Sequence, residues 1–185
     1  MPDSANVRVA LSGGVLRAPI DTPAPADPSA AWGAGWVNLG FISEDGVTEA
    51  YDDDTETIRS WQGGQTVRSM ITGTTATFGF TCIETNIEVL RAYHKGSEIV
   101  STADLATINV GGATADQTAW GFDILDGDDH IRIIVGRGEV TERGEITYRS
   151  NEAIGYQLTI TAYPDADGLT AVKLSNAAGL LTPAP

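Results

Sequence analysis

Apolar and polar residues alternate along much of this chain with a period of two, the spacing of a half-buried strand. The clearest instance is 75–82, where Ala76, Phe78, Phe80 and Cys82 face one way and Thr75, Thr77, Gly79 and Thr81 the other. Residues 153–163 repeat it, with Tyr156, Leu158, Ile160 and Ala162 opposed to Gln157, Thr159, Thr161 and Tyr163. Both describe a sheet with one packed face and one wet, uncharged face. Near the N-terminus Val7, Val9 and Leu11 alternate with Asn6, Arg8 and Ala10, and Ser12-Gly13-Gly14 offers a tight turn before Val15-Leu16. A hairpin or bent edge strand is expected over 6–17. A strand is expected at 36–42, and two antiparallel strands over 65–84, joined near Thr72-Gly73-Thr74. Further strands are expected at 119–125, 130–137, 144–150 and 153–163, with a short one at 171–174. Residues 86–95 instead predict a helix. Ile87, Leu90 and Tyr93, with Val89, form its apolar stripe; Thr85 or Asn86 caps it, Glu88 suits the first turn, and His94, Lys95 and Gly96 supply the stop.

Other stretches carry no periodicity. Residues 18–31 hold Pro19, Pro23, Pro25 and Pro28 among Ala and Asp, the texture of an extended arm. Residues 43–64 read as a long acidic loop, an unusual feature inside a compact domain and often a functional one. Residues 97–118 are mixed and end in a Gly111-Gly112 loop, and 176–185 form an Ala/Gly/Pro tail. The sum is a mainly β chain of about eight strands with one flanking helix, a sandwich or barrel, in a single domain over 1–185.

Composition narrows the chemistry. The chain has 185 residues and a net charge of −14, which disfavours a bulk grip on DNA or an anionic membrane. Its one cysteine, Cys82, forbids an internal disulfide. No secretory signal or long apolar run is evident, so neither export nor a membrane span is expected. Cys82, His94 and His130 are too scattered for a transition-metal site. Asp126-Gly127-Asp128-Asp129 reads as a hairpin turn ahead of a calcium ligand set. Cys82 falls beside Phe80 on an apolar face, as an inert thiol would. Gly136-Arg137-Gly138 begins like a dinucleotide fingerprint but lacks its third glycine and its helix. None of the six asparagines begins a glycosylation sequon. Trp32, Trp36, Trp61 and Trp120 are expected as core or interface anchors before a sugar groove. No catalytic residue, cofactor or metal is expected. On residues alone, an acidic β-sandwich binding module for calcium or carbohydrate stays open as an alternative.

The chain resembles the major tail protein, or tail tube subunit, of long-tailed bacteriophages, closest to those of actinobacterial phages. The resemblance rests on Trp36-Val37-Asn38-Leu39-Gly40-Phe41-Ile42-Ser43-Glu44-Asp45-Gly46-Val47-Thr48-Glu49, then Ile58-Arg59-Ser60-Trp61-Gln62-Gly63-Gly64 with Val67-Arg68. It continues through Thr77-Phe78-Gly79-Phe80-Thr81, Ile83-Glu84, His130-Ile131-Arg132-Ile133-Ile134-Val135, Thr141-Glu142-Arg143-Gly144-Glu145 and Ala153-Ile154-Gly155-Tyr156-Gln157-Leu158-Thr159-Ile160-Thr161-Ala162-Tyr163-Pro164. It implies a β-sandwich or half-barrel subunit that is no enzyme, forms six-membered rings, and stacks into the hollow tube of a virion tail without a sheath. Assembly would occur in the host cytoplasm. The partners implied are other copies of itself, a tape-measure protein, then phage DNA in the lumen, and tail terminator and tail-tip proteins, with no membrane binding. The arm, the acidic loop and the tail would reach neighbouring subunits, through Glu44, Asp45, Glu49, Asp52, Asp53, Asp54, Arg59, Trp61 and Arg68. Thr75, Thr77, Thr81, Gln157, Thr159 and Thr161 would face the lumen, where DNA slides past a surface without cationic anchors.

Overall fold

A computed structural model describes residues 4–177 and 180–181. The strands are β1 (Ser12–Ala18), β2 (Val37–Asn38), β3 (Ile42–Arg59), β4 (Thr66–Cys82), β5 (Glu98–Ser101), β6 (Ala106–Asn109), β7 (Gln117–Asp126), β8 (Asp129–Arg143), β9 (Tyr156–Tyr163) and β10 (Val172–Ser175), with one helix, α1 (Ile87–Tyr93). The principal sheet is antiparallel and runs β2, β1, β7, β8, β9, β4, β3, with β10 also paired to β8. β5 and β6 form a separate two-stranded hairpin.

This sheet folds on itself because β8 serves two neighbours along one edge. Its first half pairs with β10, from Val172 opposite Ile134 to Ser175 opposite Ile131. Its second half pairs with β9, from Arg137 opposite Tyr163 to Arg143 opposite Leu158. The change falls at Gly136-Arg137-Gly138, where the register against β7 also slips, from Trp120 opposite Val135 to Thr118 opposite Gly138. Extra residues on one strand bend it and sharpen its twist. The Gly-Arg-Gly run that resembled a broken nucleotide motif is therefore the corner of the sandwich.

Beyond the corner the two halves meet face to face. Phe78 of β4 stacks on Phe122 of β7 at 4.9 Å, although these strands are not neighbours in the sheet. Phe80 packs against both Trp120 and Phe122. The alternating residues Ala76, Phe78, Phe80, Cys82, Tyr156, Leu158, Ile160 and Ala162 all lie in this one buried cluster. The helix closes its end. Asn86 caps α1 by accepting from the Glu88 and Val89 N–H groups, and its own amide donates to the Leu39 carbonyl at 2.9 Å. Val89 and Ala92 are buried, and Tyr93 sits edge-on to Tyr156 while donating its hydroxyl to the Gly144 carbonyl.

Four expectations need correction. Residues 43–64 are no loop: they are most of β3 plus its turn, because Thr, Tyr and Ile between the acids sustain a paired strand. Thr72-Gly73-Thr74 is not a turn but the middle of the unbroken β4; the turn sits at 60–65, where Ser60 N–H bonds the Gln65 carbonyl and Gly63 and Gly64 take positive φ. Ser12-Gly13-Gly14 starts β1 in place of a turn, so no hairpin forms before it. Residues 144–150 form no strand; they leave β8 as irregular chain.

Gly138 is the tightest point of the corner. A Cβ there would lie 2.7 Å from Trp120 Cδ1 and 2.9 Å from Ile160 Cγ2, both deeply buried. Gly138→Ala is expected to cost about 1–3 kcal/mol through overpacking. Gly136→Ala, whose Cβ would meet Asp165 at an ordinary 3.5 Å, is expected to be near neutral. Urea denaturation of both variants against the parent checks the contrast.

Candidate functional site

The outstanding surface feature is a hairpin that outgrows its sheet. β3 and β4 pair from Val47 opposite Phe80 to Arg59 opposite Thr66. β9 supports β4 only over Ala76–Cys82, so residues 52–75 project as a two-stranded ribbon with both edges unpaired. An isolated ribbon of this kind is marginal in water, and its free edges invite another chain. Asp52, Asp53, Asp54 and Glu56 load one strand with charge; the Thr74 hydroxyl donates to Asp53 at 2.6 Å. The tip has the opposite sign. Arg59 and Arg68 make no ion pair or side-chain hydrogen bond among the described residues. Between them stands Trp61, 96% exposed. Ile58, Val67, Ile71 and Tyr51 add exposed apolar surface along the ribbon. Sequence reasoning named the acids, Arg59, Trp61 and Arg68 as contact residues but not Val67 and Ile71, whose signal was the run of β-branched residues on both sides of Gly63-Gly64.

Where the ribbon leaves the body, Glu49 is held within its own chain. Lys173 of β10 donates to both its oxygens, at 2.7 and 2.8 Å, and the Tyr51 hydroxyl donates to it at 2.5 Å. The hydrogen bond to Glu49 raises the Tyr51 phenol above its usual range. Burial pulls the Lys173 ammonium down, but its bond to Glu49 and that carboxylate's charge outweigh it and leave the group raised. Glu49 thus braces β3 against β10. Glu44 and Asp45 lie instead at the start of β3, exposed, beside a cavity of about 350 Å³ between β3 and β1. Leu11, Phe41, Ile42, Val47 and Ile124 line this seam.

The six threonine-type positions come together. Thr77 pairs with Thr161 and Thr81 with Gln157 across β4 and β9, and Thr75 and Thr159 lie on the same face. All six are exposed or half-buried, directly behind the buried cluster. Thr141 of β8 extends the face by a hydroxyl contact to Thr161 at 2.8 Å.

The Pro-rich arm is pinned to its own sheet. Arg132, 3% exposed, bonds both oxygens of Asp123, at 2.7 and 3.1 Å, and donates to the Ala30 and Asp27 carbonyls at 2.7 and 3.1 Å. Its guanidinium lies 4.3 Å from the Trp32 ring centre, and the Trp32 indole donates to Asp123 at 2.6 Å. Trp36 packs on Trp32 and donates to the Pro23 carbonyl. A polar residue at Gly121 would collide with Trp32, whose ring covers that glycine. No pattern in the sequence marked Arg132, since its partners lie 9 and about 100 residues away.

Other candidates resolve into structure. Gly127 turns β7 into β8; Asp126 accepts from the Val9 N–H, and Asp129 pairs with Arg8. Cys82 is buried, and desolvation pushes its thiol up to about 12. Burial, with Arg143 nearby, lowers the His94 imidazole below its usual range. Among the described residues no group of three or more His, Cys, Asp or Glu could hold a metal, and no helix is long and apolar enough to cross a membrane. The tail over 176–185 falls mostly outside the described residues; Asn176 bonds the His130 N–H and the Asp128 carbonyl.

A β-sandwich with one buried face, one neutral wet face and an overlong unsupported hairpin has the build of a structural subunit with surface left over for other chains. Over residues 1–183 the chain matches the family model described as phage tail tube protein, and it belongs to that family. No curated protein matches it. The family places it in the virion tail as a structural component that self-assembles into the tube, which fits the expectation of no enzymatic role.

Removing the arm's anchor exposes how it is held. Arg132→Ala removes the counter-charge of Asp123, which keeps the Trp32 indole, and takes a donor from each of two carbonyls; it is expected to cost about 3–5 kcal/mol. It should also expose residues 18–31 to limited proteolysis, and denaturation together with cleavage mapping reads both effects. Cys82 is expected to resist a thiol reagent at pH 8 in the native protein and to react fully once the chain is unfolded.

Proposed function

We propose that this chain forms six-membered rings that stack into the hollow tube of a long, sheathless phage tail and conduct the genome into the host. The observation that carries this is the β4–β9 sheet, whose inner face is buried and whose outer face presents Thr75, Thr77, Thr81, Gln157, Thr159 and Thr161 without a cation. Six copies at −14 each bring about −84 to a ring, a field that repels phosphates. Such a lining lets DNA slide past without anchoring it. The edges of β3 and β2 end the sheet, and neighbours in a ring would cover both.

In this reading the tape-measure protein fills the lumen during assembly in the host cytoplasm and DNA replaces it at ejection. Terminator and tail-tip proteins close the two ends. The acidic ribbon, with Asp52, Asp53, Asp54, Arg59, Trp61 and Arg68, reaches an adjacent ring, while Glu44 and Asp45 meet a neighbour at the seam. Glu49 has a structural partner in Lys173 and contributes chiefly inside the subunit.

Negative-stain electron microscopy of the concentrated protein, without other phage components, tests the proposal. Hollow tubes or six-fold rings of uniform width are expected; a species that stays monomeric at every concentration would overturn it. The lumen assignment has its own test. Phage carrying Thr159→Arg with Thr161→Arg are expected to assemble normal tails but eject DNA several-fold more slowly, because each arginine adds a phosphate contact. Unchanged ejection kinetics would move the lumen to another face.

A further inference from the structure

We infer that the ribbon tip and the β1–β3 seam are a knob and its socket, joining one copy of this chain to the next through Trp61. The inference rests on the tube reading above and names the contact that would propagate it. On the knob side, Trp61 is 96% exposed and stands between two arginines that have no partner among the described residues. A bare tryptophan flanked by unpaired arginines is the composition of an interface anchor, not of a solvated turn. On the socket side, the seam holds about 350 Å³ of open space, ample for one indole. Its walls include Leu11, 69% exposed, and Phe41, 76% exposed, with Ile124 at the floor.

Charge fits as well as shape. Glu44 lines the socket and Asp45 follows it in β3, both exposed and without an ion pair among the described residues. They meet the two cations of an arriving tip, Arg59 and Arg68, in sign and in number. The occupant cannot be the chain's own tip. Val47 lines the socket and Arg59 begins the turn, so twelve strand residues at about 3.3 Å each hold tip and socket roughly 40 Å apart. The knob of one copy therefore fills the socket of another. Because knob and socket are different surfaces, the contact is heterologous: it closes into a ring where the rotation closes and otherwise leaves a free knob and a free socket at the two ends. Between stacked rings it takes the second form, the connectivity of an open-ended tube.

The contact is tested by disulfide trapping in the full-length protein. Gln62 flanks the knob and Ser43 lines the socket; the native Cys82 is buried and does not compete. The double variant Gln62→Cys/Ser43→Cys, assembled and oxidised with copper phenanthroline, is expected to give a ladder of covalent multimers on a non-reducing gel. An equimolar mixture of the two single variants should stop at dimers, and Gln62→Cys alone should give none. Trp61→Ala is expected to raise the concentration needed for assembly roughly tenfold or more, with Trp61→Phe restoring much of the loss. The Trp61 side chain is almost wholly exposed in its own chain, so unchanged circular dichroism and melting should show the monomer intact. Leu11→Lys, which sets a cation against Arg59 and Arg68, should block assembly from the socket side. Normal tubes that form no ladder, or Trp61→Ala tubes at the parental concentration, would overturn this contact and leave the tube reading standing. Dimers from Gln62→Cys alone would overturn it in favour of tip-to-tip pairing. A parental protein that never polymerises would overturn the tube reading and this contact with it.

Discussion

The corner in β8 is the constraint from which the rest of the molecule follows. A sheet of this width cannot bury one face unless something folds it, and the bend at Gly136-Arg137-Gly138 lets a single strand belong to both halves. With the bend in place, Phe78 reaches Phe122 and the alternating residues of β4 and β9 acquire a core. The same bend fixes which face is left outside. The threonine surface exists because the phenylalanine surface is spent inward, so the wet face and the packed face are one decision made at one glycine pair.

The anchor at Arg132 works on the opposite side of the sandwich. The arginine of its ion pair with Asp123 is deeply buried and the carboxylate half-buried, and the Nη1 group donates to two carbonyls of the arm. A buried charge is tolerated when every donor and acceptor is met, and here the second carboxylate oxygen also accepts from Trp32. The arm is thereby turned from a tether into a cover over β7 and β8. Pinning it to its own sheet gives the arm one defined surface, which a loose proline-rich segment would not have.

Alternation was legible wherever one face of a strand was buried and the other wet, and the inner strands and the capped helix followed from it. The ribbon was misread for the converse reason. Both its faces are exposed, so Asp52 to Glu56 show no apolar alternation, and their charge density alone reads as a loop. Gly73 reads as a turn because no local signal separates a glycine inside a strand from one between strands; only the opposing register of β3 decides it. Of the site residues, the six on the wet face could be named from period alone. The seam could not, since it joins Leu11 just ahead of β1, Phe41 between β2 and β3, and Ile124 of β7, which are distant in sequence.

The ribbon also explains why so acidic a chain is compatible with polymerisation. Unpaired strand edges promote promiscuous pairing, and consecutive acids on β3 make two ribbons repel each other edge to edge. The cations of the ribbon are Arg59 and Arg68 near its tip, where in the proposed contact they answer acids on a different part of the chain. Like surfaces are thus kept apart while unlike surfaces are drawn together, and a subunit with −14 net charge stays soluble until the unlike surfaces meet. The apolar residues along the ribbon then supply the area that the charges alone cannot, because exposed ion pairs in water are worth little by themselves. In the proposed contact, specificity would sit in the charge pattern, and the stability of the joint in Trp61 and its apolar neighbours.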